Sequence, residues 1–121
     1  MSSSIPIAHI QDLKTLTEEI LPSNPGWVVI KFGATWCNPC KKANPHVYHH
    51  MSKAPENIVF YDLDVDDNFE IYADLKSKRM LNGIPTILAY KKGNVSFAPD
   101  MSVVGGSETH INTFFEAVFK N

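Results

Sequence analysis

Apolar and polar positions follow two rhythms along this chain. Val28-Val29-Ile30-Lys31-Phe32 is β-branched and almost continuously apolar. It makes Trp27 to Ala34 a strand covered on both faces. Ile58 to Asp64 and Thr86 to Tyr90 read as two further strands. Between them the spacing turns helical. Leu13, Leu16 and Ile20 fall at i, i+3 and i+7, so Asp12 to Leu21 predicts a helix that Pro22 ends. Ala43, Val47 and Met51 recur at steps of four in a helix starting near Cys37, and Pro45 falls inside that pattern. Asn68 to Arg79 reads as a helix with Ile71, Tyr72 and Leu75 facing inward. Ile111, Phe114, Phe115, Val118 and Phe119 form a full amphipathic stripe after Ser107, a candidate N-cap.

The ends of the chain add weaker signals. Ile5 to His9 is a short apolar stretch suited to an edge strand, where Pro6 is tolerated. Lys91-Lys92-Gly93-Asn94 reads as a hairpin turn, with Val95 onward returning as the partner strand. The order β-α-β-α-β-α-β-β-α predicts an α/β sheet with helices on both faces.

Composition places this pattern in one domain spanning 1–121. Hydrophobic residues make up 44% and charged residues 20% of 121, as in globular domains. A net charge of -2 lacks the basic footprint of a nucleic-acid binder. No apolar run has the length of a membrane span. The opening Met-Ser-Ser-Ser-Ile-Pro-Ile lacks the pattern of a secretion signal, so a reducing, cytoplasmic compartment is expected.

The only two cysteines, Cys37 and Cys40, are three positions apart at a strand-to-helix junction. There, unpaired backbone N–H groups and the helix dipole favour an anion, so Cys37 is the candidate attacking thiolate. Cys40, held further in, is the candidate resolving thiol. Pro39 suits a first helical turn. The competing reading is half a zinc site completed by His46 and His50. At about 100° per residue, His46 lies about 180° around the helix from Cys37 and about 120° from Cys40, so the ligands diverge. No metal is expected, and His46, His49 and His50 read as a solvated face beside Lys42 and Lys53.

Phe32-Gly33-Ala34-Thr35-Trp36-Cys37-Asn38-Pro39-Cys40-Lys41 resembles the active-site segment of the thioredoxin family. So do Pro45, Gly83-Ile84-Pro85-Thr86, the Lys92-Gly93 turn and Val104-Gly105-Gly106. The resemblance runs from about Ile5 to Phe119. It implies a mixed five-stranded sheet ordered 1-3-2-4-5 with four flanking helices. It implies a cis-proline at Pro85 and a docking surface made of Trp36, Pro39, Ile84, Pro85 and Val104 to Gly106. It also implies reduction of disulfides in substrate proteins through the Cys37–Cys40 pair, without a bound cofactor. Electrons would come from an NADPH-dependent, thioredoxin reductase-like flavoprotein, and the protein would act as a monomer. A thiol oxidase or disulfide isomerase is the alternative within redox chemistry, and a binding or chaperone module is the alternative outside it.

Four features depart from the family pattern. Asn38 stands where glycine is usual and is a candidate donor to the Cys37 sulfur. Lys31 replaces a buried aspartate, while Asp62 occupies the position of that aspartate's usual lysine. An ion pair of swapped sign is therefore expected between them. The stretch Asp74 to Leu81 is longer than in compact relatives, and its Lys76, Lys78 and Arg79 suggest acidic partners. Phe97 to Ser102 lengthens the segment after the hairpin turn, as a bulge, a loop or a partner contact.

Overall fold

The computed structural model describes residues 6–120. Four strands form one mixed sheet in the order β2-β1-β3-β4, with β1 Trp27–Gly33, β2 Ile58–Asp64, β3 Thr86–Lys91 and β4 Met101–Val104. Strand β1 runs parallel to β2 and antiparallel to β3, and β4 is antiparallel to β3. The helices are α1 Leu13–Thr15, α2 Asn38–Met51, α3 Phe69–Ser77 and α4 Glu108–Lys120.

The expected five strands are four. The first is reduced to a single parallel bridge, Ile7 to Tyr61, on the free edge of β2. The Ile7 N–H donates to Phe60 O at 3.0 Å, and its carbonyl accepts from Asp62 N at 2.9 Å. Ile5 lies outside the described residues. Pro6, without an N–H, cannot lengthen such a ladder through its own nitrogen.

The returning strand starts at Met101 rather than Val95. Side chains hold the intervening residues in a loop. Asn94 Nδ2 donates to Ala98 O and to Asp100 Oδ2, both at 2.9 Å. Asp100 Oδ2 also accepts from Lys91 N at 2.7 Å. These local bonds compete with ladder pairing. Phe97 packs against the core, and its carbonyl accepts from the Tyr90 hydroxyl at 2.8 Å.

The first helix also differs. Asp12 caps α1, its carboxylate accepting from Thr15 N at 2.8 Å. After one turn the helix widens into a π-helical turn, Leu16–Ile20, then tightens into a 3₁₀ turn, Leu21–Ser23. Leu16 and Leu21 are both buried by this change of pitch.

Strand alternation divides the core in two. Val28, Ile30 and Phe32 face one side, with Leu63, Leu88, Tyr90, Ile71 and Leu75. Trp27 and Val29 face the other, with Phe60, Ile87, Val47 and the α4 stripe of Ile111, Phe114, Phe115 and Val118. Lys31 and Asp62 fall by the same alternation on the second side, under α2.

Candidate redox site

Strand β1 ends at Gly33, and the chain turns through Ala34 to Trp36 into α2. Cys37 is the N-cap of α2, in extended conformation with φ -93 and ψ 111. Its sulfur accepts from the Cys40 backbone N–H at 3.2 Å. Cys37 and Cys40 form a disulfide across a Cα–Cα distance of 5.2 Å. Cys37 is 5% exposed and Cys40 1%, so the first cysteine is the more accessible. Asn38 and Pro39 are exposed in the first turn. The hydrogen bond found on the Cys37 sulfur comes from the Cys40 backbone rather than from the candidate donor Asn38.

Several of the expected surface residues lie close together around the cysteine turn. The Ile84–Pro85 peptide bond is cis. Pro85 O accepts from Gly105 N at 2.9 Å. At Gly106 a Cβ would fall 2.9 Å from Pro39 O, so only glycine allows this loop to approach the cysteine turn so closely. Pro85, Gly105, Gly106 and Pro39 are thereby linked into one surface, with Ile84 adjoining through the cis bond. Val104, the last residue of β4, is 59% exposed and leads into that loop. Trp36 is 63% exposed, and its indole N–H donates to Asp66 Oδ2 at 2.9 Å. Sequence reasoning missed Asp66. The signal available was the acidic run Asp64-Val65-Asp66-Asp67 leaving the same end of β2.

Beneath the disulfide lies the swapped pair. Lys31 and Asp62 are direct partners in the β1–β2 register. Lys31 Nζ donates to Asp62 Oδ1 at 3.0 Å. Lys31 is buried, and the Asp62 side chain is 25% exposed. The Tyr48 hydroxyl, also missed from sequence, donates to Asp62 Oδ2 at 2.5 Å. Burial, then the hydrogen bond to Asp62 and its negative charge, raise the Tyr48 hydroxyl above the usual tyrosine range. Cys40, Asn44 and Tyr48 form an i, i+4, i+8 row on α2. That row and Lys31, Gly33 and Asp62 line a cavity of about 200 Å³. Asn44 Oδ1 is buried there without a hydrogen-bond partner.

The histidines lie elsewhere; His49 is exposed as expected, while His46 and His50 are half-buried. His50 stacks on Phe115 with ring centroids 5.0 Å apart, and its Nε2 is 2.7 Å from Asn112 Oδ1. It is part of the α2–α4 packing, which explains its partial burial. His46 Nδ1 lies 3.9 Å from Glu108 Oε2. Among the described residues, no three His, Cys, Asp or Glu side chains are grouped to hold a metal ion. No helix there is long and apolar enough to cross a membrane. Of the basic cluster, Lys76 lies over the Tyr72 ring and Lys78 over the Phe97 ring, 5.8 and 5.3 Å from the centroids.

The thioredoxin family model matches residues 9–117. Thioredoxin of Mus musculus is 37% identical over 84 residues, 69% of this chain and 75% of that protein. Thioredoxin of Oryctolagus cuniculus is 41% identical over 81 residues, 66% of this chain and 72% of that protein. Among solved structures, Trichomonas vaginalis thioredoxin superposes with a TM-score of 0.69 at 25% identity, covering 94% of this chain and 98% of that one. The oxidised mitochondrial thioredoxin 3 of Saccharomyces cerevisiae gives a TM-score of 0.70, covering 92% and 94%; at 24% identity it speaks for the fold alone. A disulfide closed across the first turn of α2, on this fold and with these relatives, makes the chain a thiol–disulfide oxidoreductase that belongs to the thioredoxin family.

Proposed function

We propose that Cys37 attacks substrate disulfides and Cys40 resolves the product. The observation carrying this assignment is the asymmetry of the pair. Cys37 occupies the N-cap, where its sulfur accepts a backbone N–H, and Cys40 is the more deeply buried of the two. The N-cap position favours negative charge on sulfur.

In the reduced protein, the Cys37 thiolate attacks one sulfur of a substrate disulfide. A Cys37–substrate disulfide forms, and the other substrate sulfur leaves as a thiolate and takes up a proton. The Cys40 thiolate then attacks Cys37 Sγ and releases the second substrate thiolate, which is also protonated. Two electrons pass to the substrate, and Cys37–Cys40 becomes the disulfide. No bound cofactor takes part. Trp36, Pro39, Ile84, Pro85 and Val104 to Gly106 form the surface on which an extended substrate segment docks. An NADPH-dependent flavoprotein returns the electrons. A monomer in a reducing, cytoplasmic compartment fits a chain whose two cysteines are both spent on this pair.

The test is turnover on a disulfide-bonded protein. Cys37→Ser is expected to abolish it, and Cys40→Ser to accumulate a Cys37 mixed disulfide. The reduction potential of the pair is expected near the about -270 mV of thioredoxin-type reductants. A value near about -180 mV, the range of isomerases, would overturn the reductase assignment.

A further inference from the structure

We propose that Lys31 is a positioning residue for the resolving step, whose ammonium stabilises the Cys40 thiolate, while Asp62 and Tyr48 hold that ammonium in place. The inference rests on Cys40 being the resolving thiol.

Three observations carry it. First, Lys31 Nζ and Cys40 Sγ converge on one point. A Cβ added at Gly33 would lie 3.2 Å from Nζ and 3.5 Å from Sγ. The glycine leaves the space beside both the ammonium and the sulfur free of any side chain of its own. Second, the ion pair is oriented. Asp62 uses one oxygen for Lys31 and the other for the Tyr48 hydroxyl. Tyr48 is 41% exposed and forms the rim of the cavity, and the Asp62 side chain is more exposed than that of Lys31. Water therefore screens the carboxylate more than the ammonium, and the inner end of the pair is positive. Third, the cavity gives the proton a way out. Its volume of about 200 Å³ has room for several waters. Asn44, whose amide oxygen is buried without a hydrogen-bond partner, stands at its wall.

The Cys40 thiol gives its proton to water in the cavity. The thiolate attacks Cys37 Sγ of the mixed disulfide, the Cys37–substrate bond breaks and the Cys37–Cys40 bond forms. The departing substrate thiolate takes a proton from solvent. Lys31 neither gains nor loses a proton, and Asp62 is not the base. A carboxylate base and an ammonium stabiliser predict opposite effects when Asp62 is neutralised.

That opposition is the experiment. Reduced protein is mixed with a nitrobenzoate disulfide, which loads Cys37 with thionitrobenzoate, and release of the coloured thiol by Cys40 is timed against pH. Lys31→Met is expected to raise the pH midpoint of release by about one unit or more, slowing release about tenfold below both midpoints. Lys31→Arg keeps the charge and stays closer to the parent than Lys31→Met does. Asp62→Asn leaves the ammonium uncompensated and is expected to hold or lower the midpoint. An unmoved midpoint in Lys31→Met overturns the proposal, and so does a raised midpoint in Asp62→Asn. Asp62 is partly exposed, so its variant keeps the test decisive if Lys31→Met does not fold. Cys40→Ser must retain the label; release from it would overturn the assignment of Cys40 beneath this proposal instead.

Discussion

From Trp27 to Ile30, strand β1 carries only apolar side chains in contact with apolar neighbours. From Lys31 to Gly33 the same strand is just as buried, yet it holds an ammonium and a glycine that bares the sulfur of Cys40. Backbone pairing does little to distinguish the two ends, since β2 flanks all of β1 and β3 flanks all of it but Gly33. What differs is where each end leads. The carboxyl end of β1 opens into the cysteine turn, and the crevice outside the carboxyl ends of strands is where α/β folds place their chemistry. Burial at the first end serves stability. Burial at the second sets the charge around a reacting atom.

The sharpest way to break this division is Ile30→Ala. Ile30 is fully buried, and its truncation is expected to cost about 2–5 kcal/mol of stability in denaturant unfolding. Turnover per folded molecule should be unchanged, because the side chain faces away from α2. A loss below about 1 kcal/mol, or a change in turnover of the folded fraction, would mean the two ends are not separable.

The converse is the double change Lys31→Met with Asp62→Leu. Replacing a buried ion pair by apolar residues of similar volume is often neutral or stabilising, so stability within about 1 kcal/mol of the parent is expected. The Tyr48 hydroxyl loses its acceptor but can turn to water. The pH profile of turnover should nevertheless move. If unfolding shows a large loss instead, the pair is structural and the division fails.

The two ends were also unequally legible. The β-branched run made β1 plain, because a strand covered on both faces reads as a continuous apolar run, and the apolar stripe made α4 plain, because single-face burial writes its period directly into sequence. Cys37 and Cys40 stood out by spacing, and Lys31 with Asp62 by sign reversal at two strand positions. Tyr48 and Asp66 were not legible, although they complete the site. Each acts through one hydrogen bond to a residue distant in sequence, and such a bond leaves no periodic trace. The segment from Val95 to Asp100 was legible only as a choice among returning strand, bulge and loop; it is a loop because the Asn94 and Asp100 side chains satisfy backbone groups that a ladder would otherwise use. The π-helical turn in the first helix was hidden for another reason: Leu16 and Leu21 are both apolar at either pitch.

The smallest expected effect compares two tyrosines, one at each end. Tyr90 pairs with Val28 at the apolar end and is fully buried, with its hydroxyl bonded to Phe97 O. Burial, and secondarily the charge of Asp100, push its hydroxyl above the ordinary value of 10.0. Tyr48 at the polar end is shifted the same way, but it sits at a solvent-exposed rim. A raised folded-state value means the neutral form is favoured in the fold. The resulting stability is fully present below about pH 10, where the unfolded tyrosine titrates, and is lost as pH rises beyond it. Stability measured from pH 8 to pH 11 should therefore fall in the parent and fall less in Tyr90→Phe. Tyr48→Phe should flatten the slope less than Tyr90→Phe does, because water screens the rim. Equal slopes for the two variants would mean that solvent reaches both ends of β1 alike, and the inward-facing positive charge inferred at Lys31 would lose its dielectric basis.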